Sequence, residues 1–271
     1  MIEVGDAVVT LRDGRRLGYA VYGDPDGLPI LSCHGGLLCR LDASSADASA
    51  RELGLCVISP DRPGIGLSDR WPGRRSTLEW VDDATELVDR LGVDRFACMG
   101  WSLGGQYAAA VAFRLPQRVS RVAIVAGCLP LDEPGRMAEL NRLDRGLIRM
   151  ATGSAPVARA AFFAIRLGAK RSERKRGLPA GSMVEGLRNT AGVVDEYCAF
   201  VAPWGFRLED VVVPAHVWQG SADELVPPEW AAEIVRRLPA GELIAVEGGD
   251  HMIGITHRAE ILRRLVEPSP R

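Results

Sequence analysis

The sequence predicts an α/β protein, with a mostly parallel sheet covered on both faces by helices and interrupted once by a helical insertion. Three observations predict this. Short, almost wholly apolar runs alternate with stretches of helical periodicity. Runs so apolar belong to strands buried on both faces, as in a parallel sheet. The alternation stops after about Leu131 and resumes near residue 207.

Residues 7–22 read as two strands joined at Asp13-Gly14, a hairpin signal between alternating apolar positions. Strands then follow at Ile30–Cys33, Leu55–Ser59, Arg95–Met99 and Arg121–Ala126. Helical patterns lie between them at 42–53, 77–91 and 104–115, the second opened by a capping box of Ser76 and Glu79. From Asp132 to Phe206 the chain reads as helices and loops, including Met137–Arg149 and Val157–Leu167. The basic run Lys170–Arg176 reads there as a solvated loop, with contact to an acidic substrate or partner as the sharper alternative. The rhythm returns with a strand at Ala215–Gln219, a helix at Pro228–Leu238, a strand at Glu242–Glu247 and a helix at Ile253–Val266. Residues after Val266 read as a frayed end. The expected division is therefore a core of 1–131 and 207–271 with an insertion at 132–206.

Composition narrows the function. At 271 residues, 47% hydrophobic and 25% charged, the chain can bury one large core. A net charge of −2 gives no reason to expect nucleic acid or an anionic membrane as partner. No stretch approaches 18 uninterrupted apolar residues, so stable membrane insertion is not expected. The start lacks the basic and apolar regions of a signal peptide. Six cysteines without Cys-x-x-Cys pairing read as buried free thiols of a cytoplasmic protein. Four scattered histidines lack metal-ligand spacing, and neither a metal nor an organic cofactor is expected.

The chemistry centres on Gly100-Trp101-Ser102-Leu103-Gly104. A serine on a sharp strand-to-helix turn exposes its Oγ above the sheet edge, and glycines two positions either side remove Cβ atoms that would clash. Alone the motif is weak, since chance supplies it in roughly one chain of this length in ten. Its context is better, with an apolar strand before it and a small-residue helix after it.

Serine needs a base to take its proton, and the base needs a carboxylate to orient it. His251 follows the strand 242–247 through Gly248-Gly249-Asp250, at the sheet edge where such sites gather. His257 lies in a helical pattern and His216 inside a strand, so both read as packing or surface residues. His34 reads as a residue that fixes its loop. For the acid, Asp223 follows an apolar strand, with Glu224, Asp132 and Asp250 as competitors and a helix cap as its plainer role. Oxyanion donors are expected from the backbone N–H groups of Leu103 and Gly36, the latter in His34-Gly35-Gly36-Leu37. Trp101, Leu37 and Trp204 are candidate substrate contacts, Trp204 alternatively a hinge anchor.

Taken together, His34-Gly35-Gly36, Asp61-Arg62-Pro63-Gly64-Ile65-Gly66-Leu67-Ser68, the serine motif, Gly220-x-x-Asp223-x-x-Val226-Pro227 and Gly249-Asp250-His251 occur in an order that resembles the α/β-hydrolase superfamily. The resemblance covers nearly all of the chain outside 132–206. It implies a mostly parallel eight-stranded sheet flanked by helices, with a helical cap formed by the insertion. The group it looks like contains esterases, cofactor-free haloperoxidases, lactonases, proline iminopeptidases and C–C bond hydrolases. Haloalkane dehalogenases and epoxide hydrolases share the frame but use an aspartate nucleophile, against which Ser102 argues. Leu37 and Gln219 depart from the residues common at their positions. The cap residues Met137, Leu140, Leu147, Met150, Phe162, Phe163 and Phe200 read as cap core first and acyl-pocket lining second.

The expected reaction is hydrolysis of a small carboxylic ester or related acyl compound. The same residues would serve C–C bond cleavage, lactone opening or acyl transfer, and a binding protein with little turnover is the alternative of another class. A homodimer is compatible with the sequence.

Overall fold

The structure, a computed structural model, describes residues 2–71, 73, 76–175 and 181–267. Eight strands form one sheet: β1 (Gly5–Thr10), β2 (Arg16–Gly23), β3 (Leu28–Cys33), β4 (Leu55–Pro60), β5 (Phe96–Trp101), β6 (Val119–Val125), β7 (Ala215–Gly220) and β8 (Gly241–Val246). Their order is β1-β2-β4-β3-β5-β6-β7-β8. The β1–β2 and β2–β4 pairs are antiparallel and the rest are parallel. The hairpin turns where the sequence places it, at Asp13-Gly14, with Gly14 at φ +87° and Asp13 accepting from the Arg15 amide.

Helices α1 (Asp47–Glu52), α2 (Trp80–Arg90) and α3 (Gly104–Arg114) precede the insertion. Between β6 and β7 stand α4 (Arg136–Glu139), α5 (Arg142–Gly153), α6 (Ala155–Lys175), α7 (Ser182–Gly186) and α8 (Thr190–Phe200), followed after β7 by α9 (Glu229–Arg237), α10 (Ile253–Thr256) and α11 (Arg258–Val266). Two apolar clusters fill the two faces of the sheet. Trp80, Leu87, Tyr107, Val111 and Ile234 from α2, α3 and α9 lie in one; Ala50, Ile261, Leu262 and Leu265 from α1 and α11 lie in the other. The strands between them are buried along their whole length in β4, β5 and β7, as their unbroken apolar runs require.

Several boundaries shift for local reasons. The capping box forms, with the Ser76 amide 2.6 Å from Glu79 Oε2, but regular helix begins only at Trp80. The expected helix at 137–149 breaks at Leu140-Asn141, because Asn141 caps a new helix by accepting from the Asp144 amide at 3.0 Å. The helix at 253–266 likewise breaks at His257. Lys170–Lys175 corrects the expectation of a loop: α6 runs through it, since Lys, Arg and Glu are good helix formers and no glycine or proline interrupts them. Arg176 and the frayed end at 268–271 lie outside the described residues.

Strand β3 pairs with β4 on one side and β5 on the other. The order of connection therefore reverses between β3 and β5, which opens a crevice at the carboxyl ends of these strands. The loop after β3 and the turn after β5 meet there. Among the described residues no helix is long and apolar enough to cross a membrane. All six cysteines are free thiols, five of them buried, and burial pushes Cys56 up to about 11 and Cys39 to about 12.

Candidate active site

Ser102 directly follows β5 at φ +56°, a left-handed conformation that disfavours a residue with a Cβ. It is held there by its amide, which donates to the Val125 carbonyl at 2.8 Å. The flanking glycines are required by contact. A Cβ on Gly100 would lie 2.1 Å from the Gly104 carbonyl oxygen, and one on Gly104 would lie 2.2 Å from that of Cys33. Removal of those two atoms lets α3 start directly against β3 and β5.

His251 and Asp223 meet across 28 residues, with Nδ1 2.9 Å from Asp223 Oδ2. Four donors converge on this carboxylate. Oδ2 also accepts from Gln219 Nε2 at 3.1 Å, while Oδ1 accepts from the amides of Leu225 at 2.8 Å and Val226 at 3.0 Å. Its competitors Glu224, Asp132 and Asp250 are all exposed. Gln219, flagged in the sequence only as a departure, thus orients the acid. Trp101 holds the other end of the histidine loop, donating from Nε1 to the His251 carbonyl at 2.9 Å.

Burial alone would raise the Asp223 carboxyl, but the bond and charge of His251, with the amides of Val226 and Leu225, hold it below the ordinary aspartate value. Its ionised form therefore stabilises the fold fully above the unfolded value, and that contribution is withdrawn as pH falls through the lower native one. The melting-temperature gap between wild type and Asp223→Asn is accordingly expected to shrink below about pH 4. A gap indifferent to acid would contradict this account of Asp223.

Gly36, Leu37, Trp101, Ser102, Leu103 and His251 all border one cavity of about 270 Å³. Among the described hydrogen bonds, neither the Gly36 nor the Leu103 amide has an acceptor. The two residues adjoin, since a Cβ on Gly36 would sit 3.6 Å from that of Leu103. Leu37 is held at φ +62°, a strained conformation in the same loop. A hollow of about 350 Å³ also opens at the opposite ends of β3, β5 and β6, beside Leu28, Phe96 and Ser120, and neither Ser102 nor His251 borders it.

Trp204 is a correction. It does not border the cavity but is buried where the chain leaves α8, its ring 5.5 Å from Phe206, which stacks on Phe113. The flat contact surface of the indole is taken up by core packing, which leaves it no face for substrate. Of the seven apolar insertion residues named from the sequence, Leu140, Leu147 and Phe200 line the cavity and Met137 and Met150 do not; Phe162 is packed in the core and Phe163 is half exposed.

The loop that carries Gly36 is fixed by residues whose roles the sequence did not reveal. Arg62 is fully buried and donates to the carbonyls of His34 at 2.6 Å and Gly35 at 3.1 Å, while its Nε reaches Glu196 of α8 at 2.6 Å. His34 completes the loop, with Nδ1 2.9 Å from the Gly35 carbonyl and Nε2 accepting from the Arg62 amide at 3.3 Å. This matches its expected loop-fixing role. The insertion also approaches this loop through glycines: Gly186 packs on the Leu37 and Leu38 carbonyls, and Gly192 on the backbone of Gly64. Tyr197, one residue after Glu196, lines the cavity with its hydroxyl near Gly36.

Asp144 was likewise unforeseen. It lines the cavity from the first turn of α5 and accepts from Asn141 Nδ2 at 2.6 Å. Asn141 Nδ2 also lies 3.2 Å from the Leu225 carbonyl, so it ties α5 to the loop that carries Asp223. The signal available was the pattern Asn-x-x-Asp ahead of an amphipathic run, a variant of the capping box.

A model described as the alpha/beta hydrolase family matches residues 30–264. A non-heme chloroperoxidase of Streptomyces lividans is 28% identical over 92% of this chain and 94% of its own. A 2-hydroxymuconate semialdehyde hydrolase of Pseudomonas putida is 34% identical over 39% of this chain and 38% of its own length. Among solved structures, the enol-lactonase from Burkholderia xenovorans superposes with a TM-score of 0.72 at 18% identity, over 96% of this chain and 98% of that one. With a family match across most of the chain and this sheet beneath the site, the protein belongs to the alpha/beta hydrolase family of enzymes.

Proposed function

We propose that the protein is a serine hydrolase that cleaves a small carboxylic ester or related acyl compound through an acyl-enzyme. The observation that carries this is the juxtaposition of the Asp223–His251 hydrogen bond with Ser102, at positive φ, on one cavity wall. The Nδ1–H donated to Asp223 leaves Nε2 as the basic nitrogen. Ser102 Oγ attacks the carbonyl carbon and His251 Nε2 takes its proton. The oxyanion is held by the amides of Gly36 and Leu103. His251 then protonates the departing alcohol, water attacks the acyl-enzyme with its proton passing to His251, and that proton returns to Ser102. No metal or organic cofactor enters this cycle.

A cavity of about 270 Å³ falls just below the ~300–1,000 Å³ usual for ligand sites, which favours a compact substrate. The six free thiols, five of them buried, favour a reducing compartment such as the cytoplasm. A second reading has the same residues open a lactone, which the likeness to an enol-lactonase favours, or cleave a C–C bond beside a ketone.

A fluorophosphonate and intact-mass measurement test the nucleophile. One covalent adduct per chain, mapped to Ser102, is expected. Absence of labelling at full occupancy of reagent would favour a binding protein on this fold instead.

A further inference from the structure

The walls of the Ser102 cavity carry an unusual balance of charge. Leu140, Leu143, Leu147, Met183 and Phe200 make much of the wall apolar. Asp144 is the carboxylate among them, His251 is the other titratable side chain there, and no lysine or arginine borders the cavity among the described residues. The negative charge of Asp223 lies directly behind His251. The charges felt by Asp144 are those of His251 and Asp223, and its described side-chain hydrogen bond is the one from Asn141.

A carboxylate in an apolar cavity loses hydration when any ligand enters, and the loss is offset only by a partner on the ligand. An apolar acyl chain offers none, and a carboxylate adds repulsion. A cationic nitrogen supplies the missing counter-charge. We propose that Asp144 makes this cavity selective for acyl substrates that carry a cationic nitrogen, and selective against those that carry a carboxylate. The proposal deepens the acyl-hydrolase assignment above and rests on it for the identity of the bond that reacts.

The surroundings of the carboxyl set the cost of keeping it ionised. Burial raises it above the ordinary aspartate value, Asn141 and His251 act to lower it, and Asp223 pushes it up. A bound cation would relieve the burial cost that raises it. The Asn141 bond to the Leu225 carbonyl holds α5 on the core, so Asp144 borders the cavity from an anchored turn rather than from a free arm.

Three p-nitrophenyl esters of matched reach give the test: 4-(trimethylammonio)butanoate, its neutral isostere 5,5-dimethylhexanoate, and the adipate monoester. Two readouts are taken. One is kcat/KM for wild type and Asp144→Asn; the other is equilibrium binding to Ser102→Ala and to Ser102→Ala/Asp144→Asn. Asp144 is partly exposed, so a preference for cation over isostere of about ten- to a hundredfold is expected, between the values of surface and buried pairs. Asp144→Asn keeps the shape and should bring the two within about threefold while improving the adipate ester, and Asp144→Glu should restore the preference. Equal binding of cation and isostere to Ser102→Ala, or a preference that survives Asp144→Asn, would overturn the proposal. Hydrolysis by Ser102→Ala at the wild-type rate would instead refute the serine mechanism, and the binding ratios would still decide the role of Asp144.

Discussion

Replacing Ser102 with alanine is expected to lower kcat for activated p-nitrophenyl esters by about a millionfold, the scale seen when a serine nucleophile of this kind is removed. The fold should be nearly untouched. The bond that anchors the turn is made by the backbone amide to Val125, and alanine meets the same φ of +56° that serine already tolerates. Melting temperature should therefore move by no more than about 2–4 °C, which corresponds to roughly 1 kcal/mol in a domain of this size. His251→Ala should lose a similar factor, and the double variant little more, if the proposed nucleophile and base act as one unit. Initial rates and thermal melts on the three variants check this. A Ser102→Ala enzyme with substantial residual turnover would remove serine from the mechanism, and multiplied losses in the double variant would show that Ser102 and His251 do not act as one unit.

Glu196→Leu is expected to destabilise the protein by about 3–5 kcal/mol, because it leaves the Arg62 guanidinium buried without its counter-charge. Both side chains are fully shielded from solvent, so water offers no replacement. Arg62→Met should be costly too, and in a second way: the His34 and Gly35 carbonyls lose their donor, and the Gly36 amide beside them loses its fixed aim. The double variant Arg62→Met/Glu196→Leu separates the two effects. With both charges gone, most of the stability should return. The lowered kcat should remain, because the loop proposed to hold the oxyanion is still unsupported. Urea unfolding midpoints and ester kinetics on the three variants give the cycle. Full recovery of kcat in the double variant would show that Arg62 serves stability alone.

Much of the fold was legible because its causes are local. Apolar runs buried on both faces read as parallel strands, and the turn at Asp13-Gly14 read as a hairpin. The serine turn was equally legible, since the need for glycine at 100 and 104 arises within five residues. Errors came where composition has two readings. Lys170–Lys175 is charged and largely exposed, which suits a loop, yet the same residue types favour extending a helix that already runs about four turns from Ala155. An aromatic in the insertion could face either substrate or core, and Trp204 faces the core.

What the sequence by itself determined is the strand order's raw material, the strained turn at Ser102 and the loops bearing Asp223 and His251, because each depends on backbone constraints among near neighbours. Only the tertiary structure decided which charges meet. Arg62 finds Glu196 across 134 residues, Asn141 finds the Leu225 carbonyl across 84, and Asp144 comes to line the cavity over Ser102. Those pairings follow from how the inserted helices dock on the sheet edge. Docking is set by shape and by mutual desolvation of groups far apart in the chain, and no local pattern encodes it.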